Sequence, residues 1–364
     1  MVQLFGKDYT KQELLQWVGD VSQVGGVERL RIREGLQGGV EVVQVRTGTG
    51  LSFEVLLSRG MDIGRTDYRG IPLAWCSPTG PVAPCHFDPR GTGWLRSFHG
   101  GLVATCGLTT AGAPSTDAGE ELGLHGRISH IPARETFVGG QWQGDDYVLR
   151  VEGKMREAVV FGENLVFHRR IETKLGENRL LIQDKVENCG FVETPHMLLY
   201  HINLGFPLLG PEAELWLPTL EVTPRDAVAA RGLGEWNKLT GPQEGFQEQV
   251  YYHRLGQDST GFTWVALVNR TLAQGLGVYV KYRPGQLSQF TQWKMLGQGT
   301  YVLGFEPANC RVEGRAKERE RGTLQNLAPQ EERLYELEIG LVTTPEELVW
   351  LQAQVAACQE EKGT

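Results

Sequence analysis

The chain has 364 residues, and 36 Lys and Arg against 44 Asp and Glu give a net charge of −8. That balance, with no basic stripe carrying interleaved aromatics, counts against a nucleic-acid surface, and no run approaches the ~20 apolar residues that a membrane span needs. Hydrophobic residues at 40% and charged residues at 22% fit a globular protein long enough to bury a sizeable core, as one large β domain or two ordinary ones.

Residues 1–25 hold neither the apolar core nor the small-residue cleavage site of a signal peptide. Cys76, Cys85, Cys106, Cys189, Cys310 and Cys358 are scattered, without a Cys-x-x-Cys pair. The expectation is of reduced, buried thiols in a cytoplasmic protein. Thr10-Lys-Gln-Glu13 is a capping box ahead of Leu14, Leu15 and Trp17, so a short helix is expected near 10–19. Residues 27–33, 40–46 and 51–58 then read as strands. The Gly48-Thr-Gly50 between the last two is not followed by a helical pattern, so it is a hairpin turn rather than a dinucleotide fingerprint.

From Ser77 to Glu121 the chain is rich in Gly, Pro, Thr and Ser, with His86, Trp94, Arg96, Phe98 and His99 embedded. This weakly periodic segment is expected to be a long functional loop. Alternation resumes over 136–138, 147–154, 165–175 and 180–186, with turns placed at Gly139-Gly140, Gly176-Glu-Asn178 and Asn188-Cys-Gly190. Residues 211–260 are looser around a strand at 215–220. Strands return at 262–269, 276–282, 289–294, 301–305 and 334–341. The doubly charged run 311–321 reads as a solvated loop. Thr344-Pro-Glu-Glu347 caps a last helix with Leu348, Leu351 and Val355 on one stripe. The chain thus divides into an N-terminal helical segment (1–24), one mostly antiparallel all-β domain (25–342) and a C-terminal helix (343–364).

The chemistry concentrates in two strands. In Glu193–Leu209 strand alternation puts Met197, Leu199, His201 and Asn203 on one face and Leu198, Tyr200, Ile202 and Leu204 on the other, with His196 on the core side. In Tyr301–Glu306, Glu306 points away from Tyr301, Leu303 and Phe305. Pro307 is expected to end this strand and leave the carboxylate at its rim, with Asn309 a second polar group at the same mouth. Gln289, Gln292, Trp293 and Lys294 on a nearby strand are a mix that suits a sugar, and Trp293 can stack on its ring. His125 and His99, each beside glycines, are exposed enough to bind ligand.

Three elements occur in order: Leu124-His125-Gly126-Arg127; Pro195 with His201 six residues on, followed by Asn203-Leu204; and Gly304-Phe305-Glu306-Pro307. Together with Ser58-Arg-Gly-Met-Asp62, Trp94–Gly101, Leu199-Tyr-His-Ile-Asn203 and Gln292-Trp-Lys-Met-Leu296, the set resembles the aldose 1-epimerase (galactose mutarotase-like) superfamily, in its bacterial aldose 1-epimerase-like branch. The resemblance covers roughly 25–342 and implies a β-supersandwich. It implies His201 as general acid, Glu306 as general base and His125 as a sugar-holding group. Arg96 is the nearest match by order to the family's arginine, whose Asn-Arg-Ile context is absent here. That departure leaves the sugar open among neutral, deoxy, acidic and phosphorylated kinds; Arg96, Arg127, Lys294 and Arg315 leave room for an anion.

The resulting expectation is an isomerase that interconverts sugar anomers. It would use His201 and Glu306 for catalysis and His125, Arg96, His99, Asn203, Trp293 and Asn309 for binding, with no metal and no cofactor. Burial should raise the pKa of Glu306, and a neighbouring carboxylate should keep His201 protonated. Two other readings stand beside it. One is a carbohydrate-binding or sensing protein without catalysis. The other is a metal-dependent isomerase built from several of His99, His125, His130, His201 and Glu306, against which the irregular spacings count. The partner is a small sugar, with neither nucleic acid nor membrane; oligomeric state is open, a homodimer among the options.

Overall fold

The fold comes from a computed structural model and covers residues 1–359. Two large antiparallel sheets stack as a sandwich. The larger runs in spatial order Gly26–Arg31, Glu41–Arg46, Leu51–Leu56, Asp62–Tyr68, Val103–Leu108, Met197–Gly205, Thr300–Ala308, Gln289–Gly297, Gln249–Leu255 and Thr219–Pro224, with Ile71–Pro72 beside the fourth strand. The smaller runs Arg134–Gln143, Asp146–Ala158, Asn164–Lys174, Arg179–Asn188, Glu332–Val342, Leu276–Tyr282, Thr263–Asn269 and Ala213–Trp216. The all-β expectation is met.

Side-chain alternation explains the stacking. Along Asn164–Lys174 every second residue is buried and the rest half-buried. Leu165, Phe167 and Ile171 enter the core, while Glu172 and His168 pair with charged neighbours outside. From the larger sheet Phe53, Ile63, Leu198, Tyr200, Ile202, Leu303 and Phe305 meet them in one apolar cluster. Each such side chain contributes about 1.5–3 kcal/mol on full burial. The strand Met197–Gly205 is buried on both faces, because loops cover its outer face. That cover makes the site.

A charged network crosses the sandwich behind it. Arg169 is fully buried and donates to Asp184 at 2.7 Å from Nη2 and to the Thr105 hydroxyl at 2.8 Å from Nη1. Asp184 also accepts from the Tyr200 hydroxyl at 2.7 Å, and Asp62 accepts the Thr105 amide at 2.9 Å. The network thereby ties Asn164–Lys174 and Arg179–Asn188 to the strand that carries His201.

Several expectations need correction. The 77–121 segment contains Val103–Leu108, a six-residue strand central to the larger sheet and buried throughout. Gly139 and Gly140 lie inside a strand, and the chain turns at Gly144 instead. The run 311–321 includes a helix, Arg315–Arg321. Its Arg315 is 5% exposed because Asp117 and Glu120 neutralise it. The first helix is short (Lys11–Leu15), although Thr10 and Glu13 form the expected capping box, and a hairpin of Val2–Leu4 with Lys7–Tyr9 precedes it. Pro307 does not end its strand, which runs to Ala308. Cys76 and Cys85 are exposed, and all six thiols are free.

The last helix, Pro345–Ala357, buries Leu348, Leu351 and Val355 against Trp264, Ala266, Val268 and Tyr279. Residues 360–364 of the expected C-terminal segment lie outside the described residues.

Candidate active site

The outer face of the larger sheet carries Ala104, His201, Glu306 and Trp293 on adjacent strands. The register pairs His201 with Ala104, Asn203 with Gly304, and Gly304 with Trp293. Loop residues Trp94, Leu95, Phe98 and His125 close over this floor, and Arg225 and Glu248 stand at the other side of a hollow of about 300 Å³. Gly304 lacks a side chain where one would collide: a Cβ there would lie 2.9 Å from Trp293 Cβ and 3.1 Å from Glu306 Oε1. Glycine in the strand interior lets the indole and the carboxyl share one small space.

His201 Nε2 lies 3.2 Å from Glu306 Oε1, with side chains 6% and 4% exposed. The two groups sit side by side rather than across the hollow. His125 and Trp293 stand edge-on to His201 at 5.7 and 5.2 Å between ring centres, and Phe98 lies tilted to it at 5.2 Å. His125 holds a positive φ of 58°, and its Nδ1 accepts the Gly112 amide, so the loop backbone fixes its ring. Trp293 Nε1 donates to Glu248 at 2.9 Å, and Glu248 accepts from Arg225 at 2.9 Å.

Burial pushes the Glu306 carboxyl up to about 8; Glu248 adds to the rise and Arg225 opposes it. Burial pulls the His201 imidazole down to about 4, although the Asn203 side chain and Glu248 favour its charged form. The rise for Glu306 follows expectation, whereas a protonated His201 does not. Desolvation outweighs the neighbouring carboxylates and leaves a neutral pair with its proton on Glu306. His125 is held down to about 3 by burial and by His201.

The remaining sequence candidates are placed as follows. Trp293 and His125 line the hollow with the central pair. Arg96 is exposed on the turn Gly93–Arg96 and does not line it, although Trp94 and Leu95 of that turn do. His99 lines a different cavity. Asn203 is fully buried and donates to the Gly101 and His201 carbonyls. Asn309 accepts the Leu198 amide and donates to the His196 carbonyl, both backbone duties. Strand alternation sends Gln292 and Lys294 to the face opposite Trp293, where Gln292 Oε1 accepts from His253 Nε2 and Lys294 donates to the Glu235 carbonyl.

His130 meets Ser97 and Arg59 away from the hollow. Among the described residues no three His, Cys, Asp or Glu side chains converge as metal ligands would. Sequence reasoning missed Arg225 and Glu248. Both sit in the loose 211–260 region, and no local pattern marks them.

This two-sheet antiparallel sandwich is the galactose mutarotase-like fold. Residues 37–341 match the family model described as "Domain of unknown function (DUF4432)", and the chain belongs to that family. It is similar to the crystal structure of a "putative aldose 1-epimerase" from Klebsiella pneumoniae, with TM-score 0.87 and 25% identity over 92% of this chain and 88% of that one. A galactose mutarotase-like protein from Clostridium acetobutylicum shares the fold at TM-score 0.59 and 11% identity, over 88% and 99% of the two chains. So does a "putative mutarotase" from Salmonella typhimurium, at TM-score 0.56 and 11% identity over 87% and 94%. No curated protein is significantly similar in sequence.

Proposed function

We propose that this protein is an aldose 1-epimerase-like isomerase that interconverts the anomers of a neutral sugar, with His201 and Glu306 as the proton-transferring pair. The observation that carries the reading is the 3.2 Å contact between His201 Nε2 and Glu306 Oε1 inside an aromatic-walled hollow.

Ring opening removes the proton of the anomeric hydroxyl, forms the C1 carbonyl and breaks the bond from C1 to the ring oxygen, which takes up a proton. Both oxygens are bonded to the same carbon. An acid and a base standing side by side can therefore reach both, and rotation about the C1–C2 bond before reclosure exchanges the anomers. The pair needs one proton in total. Burial places it on Glu306, so Glu306 would protonate the ring oxygen and His201 would take the hydroxyl proton. The opposite tautomer, with His201 as acid, has the same number of protons and the same pH dependence. Trp94 Nε1, buried without a partner, is a donor suited to a sugar hydroxyl, and Trp293 offers a ring face.

A neutral substrate follows from charge. Arg225 is the one cation among the described residues lining the hollow, and Asp226 and Glu248 hold it at 2.8 and 2.9 Å. Arg315 is spent on Asp117 and Glu120, and Lys294 faces the other side. A phosphate or carboxylate in the hollow would meet Glu248 without a free cation.

Saturation-transfer NMR of anomeric exchange across neutral, deoxy, acidic and phosphorylated sugars tests the reading. Acceleration confined to neutral sugars is the expected result. Sugar binding without acceleration would favour a binding protein on the same scaffold.

A further inference from the structure

A second cavity, of about 510 Å³, lies on the same outer face of the larger sheet toward its Gly26–Arg31 edge. It shares no lining residue with the hollow at His201. The two are nonetheless neighbours, since Phe98 faces the hollow and His99 faces the second cavity. Val42 and Leu56 give it an apolar floor that continues into Ile32 and Ala83.

The polar groups are few and specific. His99 is 5% exposed, and neither ring nitrogen has a hydrogen-bond partner. A buried imidazole left in this state carries a desolvation cost that a ligand would relieve. Arg31 and Arg65 both line the cavity, and neither guanidinium is held in an ion pair among the described residues. Glu54 is the one opposing charge; burial raises its pKa, with Arg65 opposing the rise. Two glycines keep the space clear. A Cβ at Gly64 would lie 3.0 Å from Glu54 Oε2 and 3.3 Å from Leu56, and one at Gly101 would lie 2.8 Å from His99 Nε2.

We propose that this cavity is a second ligand site that takes a small organic carboxylate. The hydrocarbon body rests on Val42 and Leu56, the carboxylate meets Arg65, and His99 supplies a hydrogen bond from the buried end. An apolar floor beside the Arg65 guanidinium selects an amphipathic monoanion over a bare phosphate, and a planar guanidinium suits a planar carboxylate.

The test uses 4-bromobenzoate on the full-length protein, with calorimetry for affinity and the bromine anomalous signal in soaked crystals for position. Comparators are 4-bromobenzamide and inorganic phosphate. The expected result is saturable binding with bromine between Val42 and Leu56, and binding at least about tenfold weaker for the amide and in Arg65→Gln, which removes the charged partner. Gly64→Val should block the space. Arg65 is exposed, so Arg65→Gln keeps the test valid if Gly64→Val fails to fold. The proposal is overturned by absence of saturable binding, by equal affinity for the amide or for phosphate, by unchanged affinity in Arg65→Gln, or by bromine at His201.

Discussion

Trp293 is oriented by Glu248: its indole Nε1 donates to that carboxylate at 2.9 Å, which sets the ring edge-on to His201 at 5.2 Å between centres. The same carboxylate raises the Glu306 pKa. Glu248 therefore acts on the proton pair through charge and on a bound sugar through the indole.

Glu248→Gln keeps a hydrogen-bond acceptor but removes the charge. The alkaline limb of kcat/KM, set by Glu306, should move to lower pH. Arg225→Gln should move it to higher pH, because Arg225 lowers the Glu306 pKa. pH–rate profiles of the two variants check the opposed signs; shifts in one direction for both would reject this role for the pair.

The wild-type profile should be bell-shaped. Activity needs one proton on the pair, so it is lost as pH falls through the His201 value of about 4 and as pH rises past the Glu306 value of about 8. An activity that climbs steadily through pH 9 would contradict a shared proton.

Acid should destabilise the fold. Burial holds His125 and His196 down to about 3, His130 to about 2, His201 and His253 to about 4, and His99 well below its ordinary value. Below pH 6.5 the unfolded chain binds more protons at these six sites. Their contribution is thus full above pH 6.5 and is lost as pH falls toward 4 and below. Glu306 works in the opposite sense: raised, it favours the fold at low pH and loses that contribution between about 4.5 and 8, and Asp62, Glu157 and Glu54, also raised by burial, act in the same direction. The six imidazoles outweigh these four carboxyls, and the urea midpoint should fall from pH 6.5 to pH 4.5.

Asp184→Ala would leave Arg169 in a dry core with only the longer contact to Asp62, 3.8 Å from Nη1, and should cost about 3 kcal/mol in chemical denaturation. Gly304→Ala should cost about 1–3 kcal/mol, because its Cβ would have to displace Trp293. It should also depress anomeric exchange by more than its stability loss explains.

The legible parts of this chain were those where one short segment holds the whole signal. Glu306 stood out because strand alternation separates it from Tyr301, Leu303 and Phe305, and the split of His196 from His201 follows the same period. Val103–Leu108 was hidden because a strand buried on both faces has no alternation, and Ala104 and Gly107 lower its β character. Arg315 looked solvated because its partners, Asp117 and Glu120, lie nearly 200 residues earlier. Asn203 and Asn309 resembled ligand-binding amides, yet both satisfy buried backbone groups, a use that local pattern does not distinguish. The proton balance of the pair was misjudged for a physical reason: the sequence reveals neighbours more readily than the degree of their desolvation.

The central claim is that His201 and Glu306 act as one proton-transferring unit, and anomeric exchange rates for His201→Asn, Glu306→Gln and the double variant test it most directly. Each single variant should lose about 10²–10⁴-fold while binding sugar and remaining folded, and the double variant should be little worse than either. Single variants that retain exchange close to the wild-type rate would contradict the account.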